Sequence, residues 1–316
     1  MEAFITVLVI LCALYVLALR GRTGHPGLNV LRNWNYAHRG LHNAERPENS
    51  MSAFRAALEH GYGVELDVHL LKDGNLAVIH DSSLNRTAGV DVNIEDLETA
   101  DLRKYHLGRT RETIPEFRQV LDLFDGKAPL IVELKPAGGN HAALTEATCK
   151  MLDGYNGPYC LESFDPRCVL WLKQNRPELI RGQLSYDYVR YAGNKLPFIL
   201  KFILTHQLEN FLVFPDFVAY RYTDRTNPGN FIVRKLWGVQ GVSWTLKNPQ
   251  EHATAVSEGW IPIFEDYEPY SVAHRVCGAP FVISKTFPAV GRFSAKGRSA
   301  ASGRVRNQSR SGPWRL

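Results

Sequence analysis

The chain has 316 residues, enough for one large domain with its own core. Hydrophobic residues make up 45%, charged residues 22% and aromatic residues 11%, which excludes a chain disordered throughout. The formal net charge is +5, with the basic excess gathered at the C-terminal end, and the five cysteines lack zinc-ligand spacing, so buried reduced thiols are the simplest reading.

Residues Ala3–Leu19 form an uncharged, proline-free apolar run. Met1-Glu2 precedes it, and the first basic residues, Arg20 and Arg22, follow it. This pattern suits a retained single-pass anchor over residues 1–20 better than a cleaved signal peptide or a core helix. With Arg20, Arg22 and Arg32 kept inside, the bulk of the protein is expected on the cytoplasmic side. Residues 21–33 contain Gly21, Gly24, Pro26 and Gly27 and read as a flexible linker. The globular domain is expected over 34–287.

Within it, apolar runs predict strands at Tyr36–Ala37, Val64–His69, Ala77–His80, Leu130–Leu134, Tyr159–Ser163, Leu179–Gln183, Phe217–Tyr220, Val239–Trp244 and Ile261–Glu265. Amphipathic stretches at Ser52–His60, Glu116–Phe124, Ala142–Leu152, Arg167–Asn175 and Pro249–Glu258 predict helices between several of them. Alternating strands and helices over about 250 residues predict an α/β fold with a parallel sheet. A (β/α)8 TIM barrel fits best, with a doubly wound sheet as the alternative. The stretch Leu196–Phe217 is more apolar than a surface loop, as if packed on the barrel or in contact with lipid. Residues 288–316 are rich in Gly, Ser, Ala and Arg without an acid, a composition that predicts a disordered basic tail. Such a tail favours anionic lipid over nucleic acid, because it carries little aromatic interleaving and the body shows no nucleic-acid-binding motif.

Polar residues interrupt the apolar runs where strands end, which is where a barrel carries its chemistry. In chain order they are His38-Arg39-Gly40, Glu48-Asn49, Glu65-x-Asp67, His80-Asp81, Glu133-x-Lys135, Trp244 and Glu265-Asp266. Residues i and i+2 of a strand share a face, so Glu65 and Asp67 point the same way and repel unless a cation lies between them.

The order and spacing of His38-Arg39-Gly40, Pro47-Glu48-Asn49-Ser50, Glu65-Leu66-Asp67-Val68, Val78-Ile79-His80-Asp81, Glu133-Leu134-Lys135, Ser163-Phe164-Asp165 and Trp244-Thr245 resemble the glycerophosphodiester phosphodiesterase family. The resemblance implies a TIM barrel with a small insertion after the second strand, here residues 82–112. It implies hydrolysis of glycerophosphodiesters to sn-glycerol 3-phosphate and an alcohol, or, for a membrane-associated member, lysophospholipase D activity. It implies a divalent cation, Ca2+ or Mg2+, held by Glu48, Glu65, Asp67 and Glu133, with His38 and His80 as general acid and base. Arg39 and Lys135 suit a phosphate, and Trp244 suits the glycerol or alcohol arm. Ser50 stands where the family normally has Thr, and Glu265-Asp266 replaces its usual Thr-Asp ending, which bears on the pocket lining.

Overall fold

A computed structural model describes residues 1–191, 193 and 195–269. The expected end of the domain at 287 and the basic tail at 288–316 lie outside the described residues.

Among the described residues, nine strands form one sheet: β1 (Tyr36–His38), β2 (Gly63–Leu70), β3 (Leu76–Val78), β4 (Leu130–Leu134), β5 (Tyr159–Ser163), β6 (Arg181–Ser185), β7 (Phe217–Arg221), β8 (Gln240–Leu246) and β9 (Trp260–Phe264). Eight run parallel and close into a barrel, since β1 pairs with both β2 and β9; β3 is an antiparallel extension on β2. Among the described residues, eleven α-helices accompany them: α1 (Glu2–Ala18), α2 (Leu28–Leu31), α3 (Met51–Glu59), α4 (Asn85–Ala88), α5 (Phe117–Phe124), α6 (His141–Leu152), α7 (Pro166–Asn175), α8 (Phe198–Thr205), α9 (Asn210–Val213), α10 (Pro228–Phe231) and α11 (Pro249–Ser257). The helices start on local signals: Ser50, Asp165 and Asn248 each accept a backbone N–H in the first turn of α3, α7 and α11.

Strand alternation sets what points where. In β2, Val64, Leu66 and Val68 join the core beneath the helices with Phe54, Phe117 and Phe124, which leaves Glu65, Asp67 and His69 on the barrel's interior face. β6 begins two residues later than its apolar pattern suggests. Its polar residues are tolerated because Ser185 donates to the Leu204 carbonyl and Gln183 to those of Ser163 and Phe164, while an added Cβ at Gly182 would meet the Phe217 ring. The insertion after β3 builds a small core of its own from Leu84, Ile94, Leu97, Leu102 and Leu107.

The N-terminal expectations need correction. No helix among the described residues is long and apolar enough to cross a membrane. α1 has 17 residues, about 25 Å at 1.5 Å per residue against about 30 Å of hydrocarbon, so a transmembrane anchor over residues 1–20 is not supported. Its last turn docks on the barrel instead. Leu19 packs with Val218, Val233 and Val239, Trp237 Nε1 donates to the Val16 carbonyl at 2.8 Å, and Tyr15 Oη lies 3.1 Å from His206 Nδ1. Residues 21–33, expected as a flexible linker, are also packed. Arg22 is paired with Asp216, and Leu28 and Leu31 plug the barrel floor against Tyr36, Ile131 and Phe217.

Candidate active site

The His38-Arg39-Gly40 turn closes β1. Arg39 and Asn49 take left-handed backbone conformations, φ 55° and 54°, an uncommon state that concentrates at functional sites. Gly40 also has positive φ, and a Cβ there would press on Ala53 at 2.9 Å. The turn delivers the Arg39 N–H to Glu65 Oε2 at 3.2 Å.

Glu65 and Asp67 of β2 and Glu133 of β4 converge. Asp67 and Glu133 are register partners, and one oxygen from each of the three carboxylates lies within 4.8 Å of the others. All three are buried. Burial and repulsion from Asp67 and Glu133 push Glu65 well above the usual carboxylate range, and burial raises Glu133 to about 7 despite Lys135. Asp67 goes the other way: burial opposes ionisation, but His80, Lys135 and Arg39 outweigh it. Three buried carboxylates that strain against one another, with Asp67 Oδ1 lacking a hydrogen bond among the described residues, fit a hard cation. Their all-oxygen donor set suits Ca2+ or Mg2+ better than zinc or copper.

Glu48 is not in this group. Its carboxylate is held by Arg39 Nη1 at 3.0 Å and by Arg86 Nη2 at 2.6 Å. Burial notwithstanding, these two guanidinium groups lower it to about 2. Glu48, expected as a fourth ligand, stands outside the three-carboxylate cluster, with its charge met by two arginines. Arg39 thereby bridges Glu48 and Asp67, whose Oδ2 lies 3.5 Å from Nε.

Each histidine is oriented by a carboxylate. His38 Nδ1 lies 2.8 Å from Glu265 Oε2, and its Nε2 lies 3.8 Å from Glu65 Oε2. His80 Nδ1 lies 2.6 Å from Asp81 Oδ1, and its Nε2 lies 3.2 Å from Lys135 Nζ. Burial and neighbouring Lys135 push His80 well below its ordinary value; burial and Arg39 lower His38, partly offset by Glu265. Lys135 also donates to Glu133 Oε1 at 2.9 Å. Trp244 stands on β8 beside Phe164, ring centroids 5.5 Å apart.

The fold brings His38, Arg39, Glu65, Asp67, His80, Glu133 and Lys135 together at one end of the barrel. Sequence reasoning did not assign roles to Glu265, Asp81, Arg86 or Asn49. The first was visible as a carboxylate ending β9, and Asp81 as the residue after His80. Asn49 Nδ2 donates to Asp67 Oδ2 at 2.8 Å, and Arg86 comes from the insertion, where no motif points to it.

A sequence model described as the glycerophosphoryl diester phosphodiesterase family matches residues 38–268. A glycerophosphodiester phosphodiesterase of Caldanaerobacter subterraneus is 32% identical over 158 residues, 47% of this chain and 65% of that protein. Human lysophospholipase D GDPD1 is 32% identical over 126 residues, 35% of this chain and 38% of that protein. The aligned part is therefore less than two thirds of either relative's length. An Oleispira antarctica phosphodiesterase, solved with the product sn-glycerol-3-phosphate, superposes with a TM-score of 0.62 at 21% identity, covering 77% of this chain and 95% of that one. That likeness shows the shared barrel.

Proposed function

The chain belongs to the glycerophosphoryl diester phosphodiesterase family, and on that premise we propose that it hydrolyses glycerophosphodiesters to sn-glycerol 3-phosphate and an alcohol. The observation that carries this reading is the pairing of two carboxylate-oriented histidines with a buried acidic triad, Arg39 and Lys135 in one barrel mouth. Glu65, Asp67 and Glu133 would hold a divalent cation, which supplies charge stabilisation to the phosphoryl oxygens when bound.

The protein's own groups divide the remaining work. Lys135 and the Arg39 guanidinium bring positive charge toward a phosphate monoanion. His80, kept neutral by burial and Lys135, has Nε2 3.2 Å from Lys135 Nζ; once that ammonium turns to the substrate phosphate, Nε2 accepts the proton of the nucleophile, either water or the neighbouring glycerol hydroxyl, whose cyclic phosphate water then opens. His38 lies between Glu265 and Glu65; Glu265 offsets part of the lowering by burial and Arg39, so His38 holds a proton more readily than His80 and is the one to deliver it to the departing alkoxide. Asp81 and Glu265 hold the two rings in position through Nδ1.

The test is turnover of a glycerophosphodiester by the purified chain with added Ca2+ or Mg2+. Activity should vanish with excess chelator and return with metal. His38→Ala and His80→Ala should retain native circular dichroism and lose activity by about 10²-fold or more. Near-normal turnover in both variants would overturn the acid–base assignment.

A second reading, lysophospholipase D activity at a lipid surface, is favoured by exposed apolar side chains. α1 is apolar on all sides, and Phe198 and Ile199 of α8 are 69% and 65% exposed. A lysophospholipid and the deacylated diester of the same head group, compared at equal concentration, separate the two readings.

A further inference from the structure

One side of the barrel mouth is walled by aromatic rings around a guanidinium. The Phe164 ring, just beyond β5, lies 5.9 Å from Lys135 Nζ, edge-on to Trp244 and to Tyr186 at 5.5 and 5.9 Å. Arg221 ends β7 and is the register partner of Trp244, so both side chains leave the sheet on the same face. The Arg221 guanidinium carbon lies 3.9 Å from the Tyr191 ring centroid, 4.7 Å from Tyr186 and 5.6 Å from Trp244.

An aromatic enclosure beside a phosphodiester site ordinarily suits a quaternary ammonium. Here the protein's own cation fills it. The only polar contact of the Arg221 guanidinium among the described residues is Asp224 Oδ2, 3.8 Å from Nε and outside hydrogen-bond range. That oxygen already accepts the Asp187 N–H at 3.1 Å. Trp244 Nε1 is buried without an acceptor among the described residues. The wall therefore offers a fixed positive charge and unmatched N–H donors, a combination that calls for an oxyanion.

We propose that Arg221, framed by Tyr186, Tyr191 and Trp244, is a subsite for the alcohol arm of the diester and selects arms carrying a carboxylate or a second phosphate over trimethylammonium arms. The proposal rests on the phosphodiesterase reading above. The glycerol arm is common to every glycerophosphodiester, so discrimination among them arises at the alcohol arm. A trimethylammonium there would meet a like charge in the place where it would otherwise stack.

The test is kcat/KM of the full chain, with saturating Mg2+ or Ca2+, for bis(glycerophospho)glycerol, glycerophosphoserine and glycerophosphocholine, repeated for Arg221→Gln and Arg221→Lys. The unaltered protein should favour bis(glycerophospho)glycerol over glycerophosphocholine by about tenfold or more. Arg221→Gln should collapse that ratio at least tenfold, chiefly through KM, and Arg221→Lys should restore part of it. A ratio that moves is not produced by unfolding, which scales all substrates together. A preference for glycerophosphocholine in the unaltered protein, or an equal loss for all three substrates in Arg221→Gln, overturns the subsite while leaving the phosphodiesterase reading intact. Turnover of none of the three overturns both.

Discussion

Glu265 and His38 lie 227 residues apart in sequence and meet at 2.8 Å, Oε2 to Nδ1, where the last strand of the barrel returns to the first. His42 and Lys247 share that carboxylate, at 3.4 and 2.8 Å. Burial opposes its ionisation, yet these partners hold it far below the usual carboxylate range, so it is an anion at every working pH. Glu265→Gln should therefore lower kcat by about 10-fold to 10²-fold with a smaller change in KM, because His38 loses the carboxylate that orients its ring and offsets part of its lowering by burial and Arg39. Steady-state kinetics of the variant, with circular dichroism to confirm folding, check this; an unchanged kcat removes Glu265 from the positioning of His38.

Metal affinity should follow the triad and not Glu48. Calorimetric titration with Ca2+ or Mg2+ should show at least tenfold weaker binding in Asp67→Asn and Glu133→Gln. Glu48→Gln should bind within a factor of about three of the unaltered protein, since Arg39 and Arg86 already neutralise that carboxylate. A loss in Glu48→Gln equal to that in Asp67→Asn would return Glu48 to the ligand set.

The same titration should depend on pH with a definite sign. Glu133 holds its proton up to about pH 7, and Glu65 is also raised. A cation must displace those protons, so its affinity is full above pH 7 and falls as pH drops through that value, with proton release on binding. Affinity that is flat between pH 5 and 8, with no difference in heat between buffers of different ionisation enthalpy, would contradict this.

Glu209 makes a stability prediction remote from the site. It is 4% exposed, neither carboxylate oxygen has a partner among the described residues, and burial raises it to about 8. The native state then binds one more proton than the unfolded chain between about pH 4.5 and 8, so this group's contribution to stability falls as pH rises through that window. At about 1.4 kcal/mol per pH unit, the loss reaches a few kcal/mol above pH 8. Glu209→Gln should unfold at higher denaturant concentration than the unaltered protein at pH 8, and the gap should narrow toward pH 5. A gap independent of pH would refute the buried-acid account.

Much of the site was legible because a strand has period two. Glu65 and Asp67 had to share a face, and Glu133 and Lys135 likewise, wherever the sheet closed. The family motifs then arranged those pieces in order. The aromatic wall was less legible: Phe164 and Trp244 stood in motifs, but Arg221 ends an apolar run like any surface arginine. Only its register with Trp244 places it at the mouth. The apolar run at the N-terminus predicted a helix, but α1 is not long and apolar enough to cross a membrane. Hydropathy reports that a segment avoids water; whether it is long enough to span a bilayer, or where its end docks, depends on helix length and on Val218, Val233 and Val239 far along the chain.

By itself, the amino-acid sequence determined the alternation of strands and helices, the inward face of each strand and the kinds of side chain at each strand end, because these follow from local sterics and hydrophobic periodicity. The tertiary structure decided which of those side chains share a charge. Barrel closure set Glu265 against His38, the insertion brought Arg86 to Glu48, and strand register put Arg221 among the rings. Electrostatic energy depends on distances of a few ångströms between groups tens to hundreds of residues apart, and such distances exist only once the chain has folded.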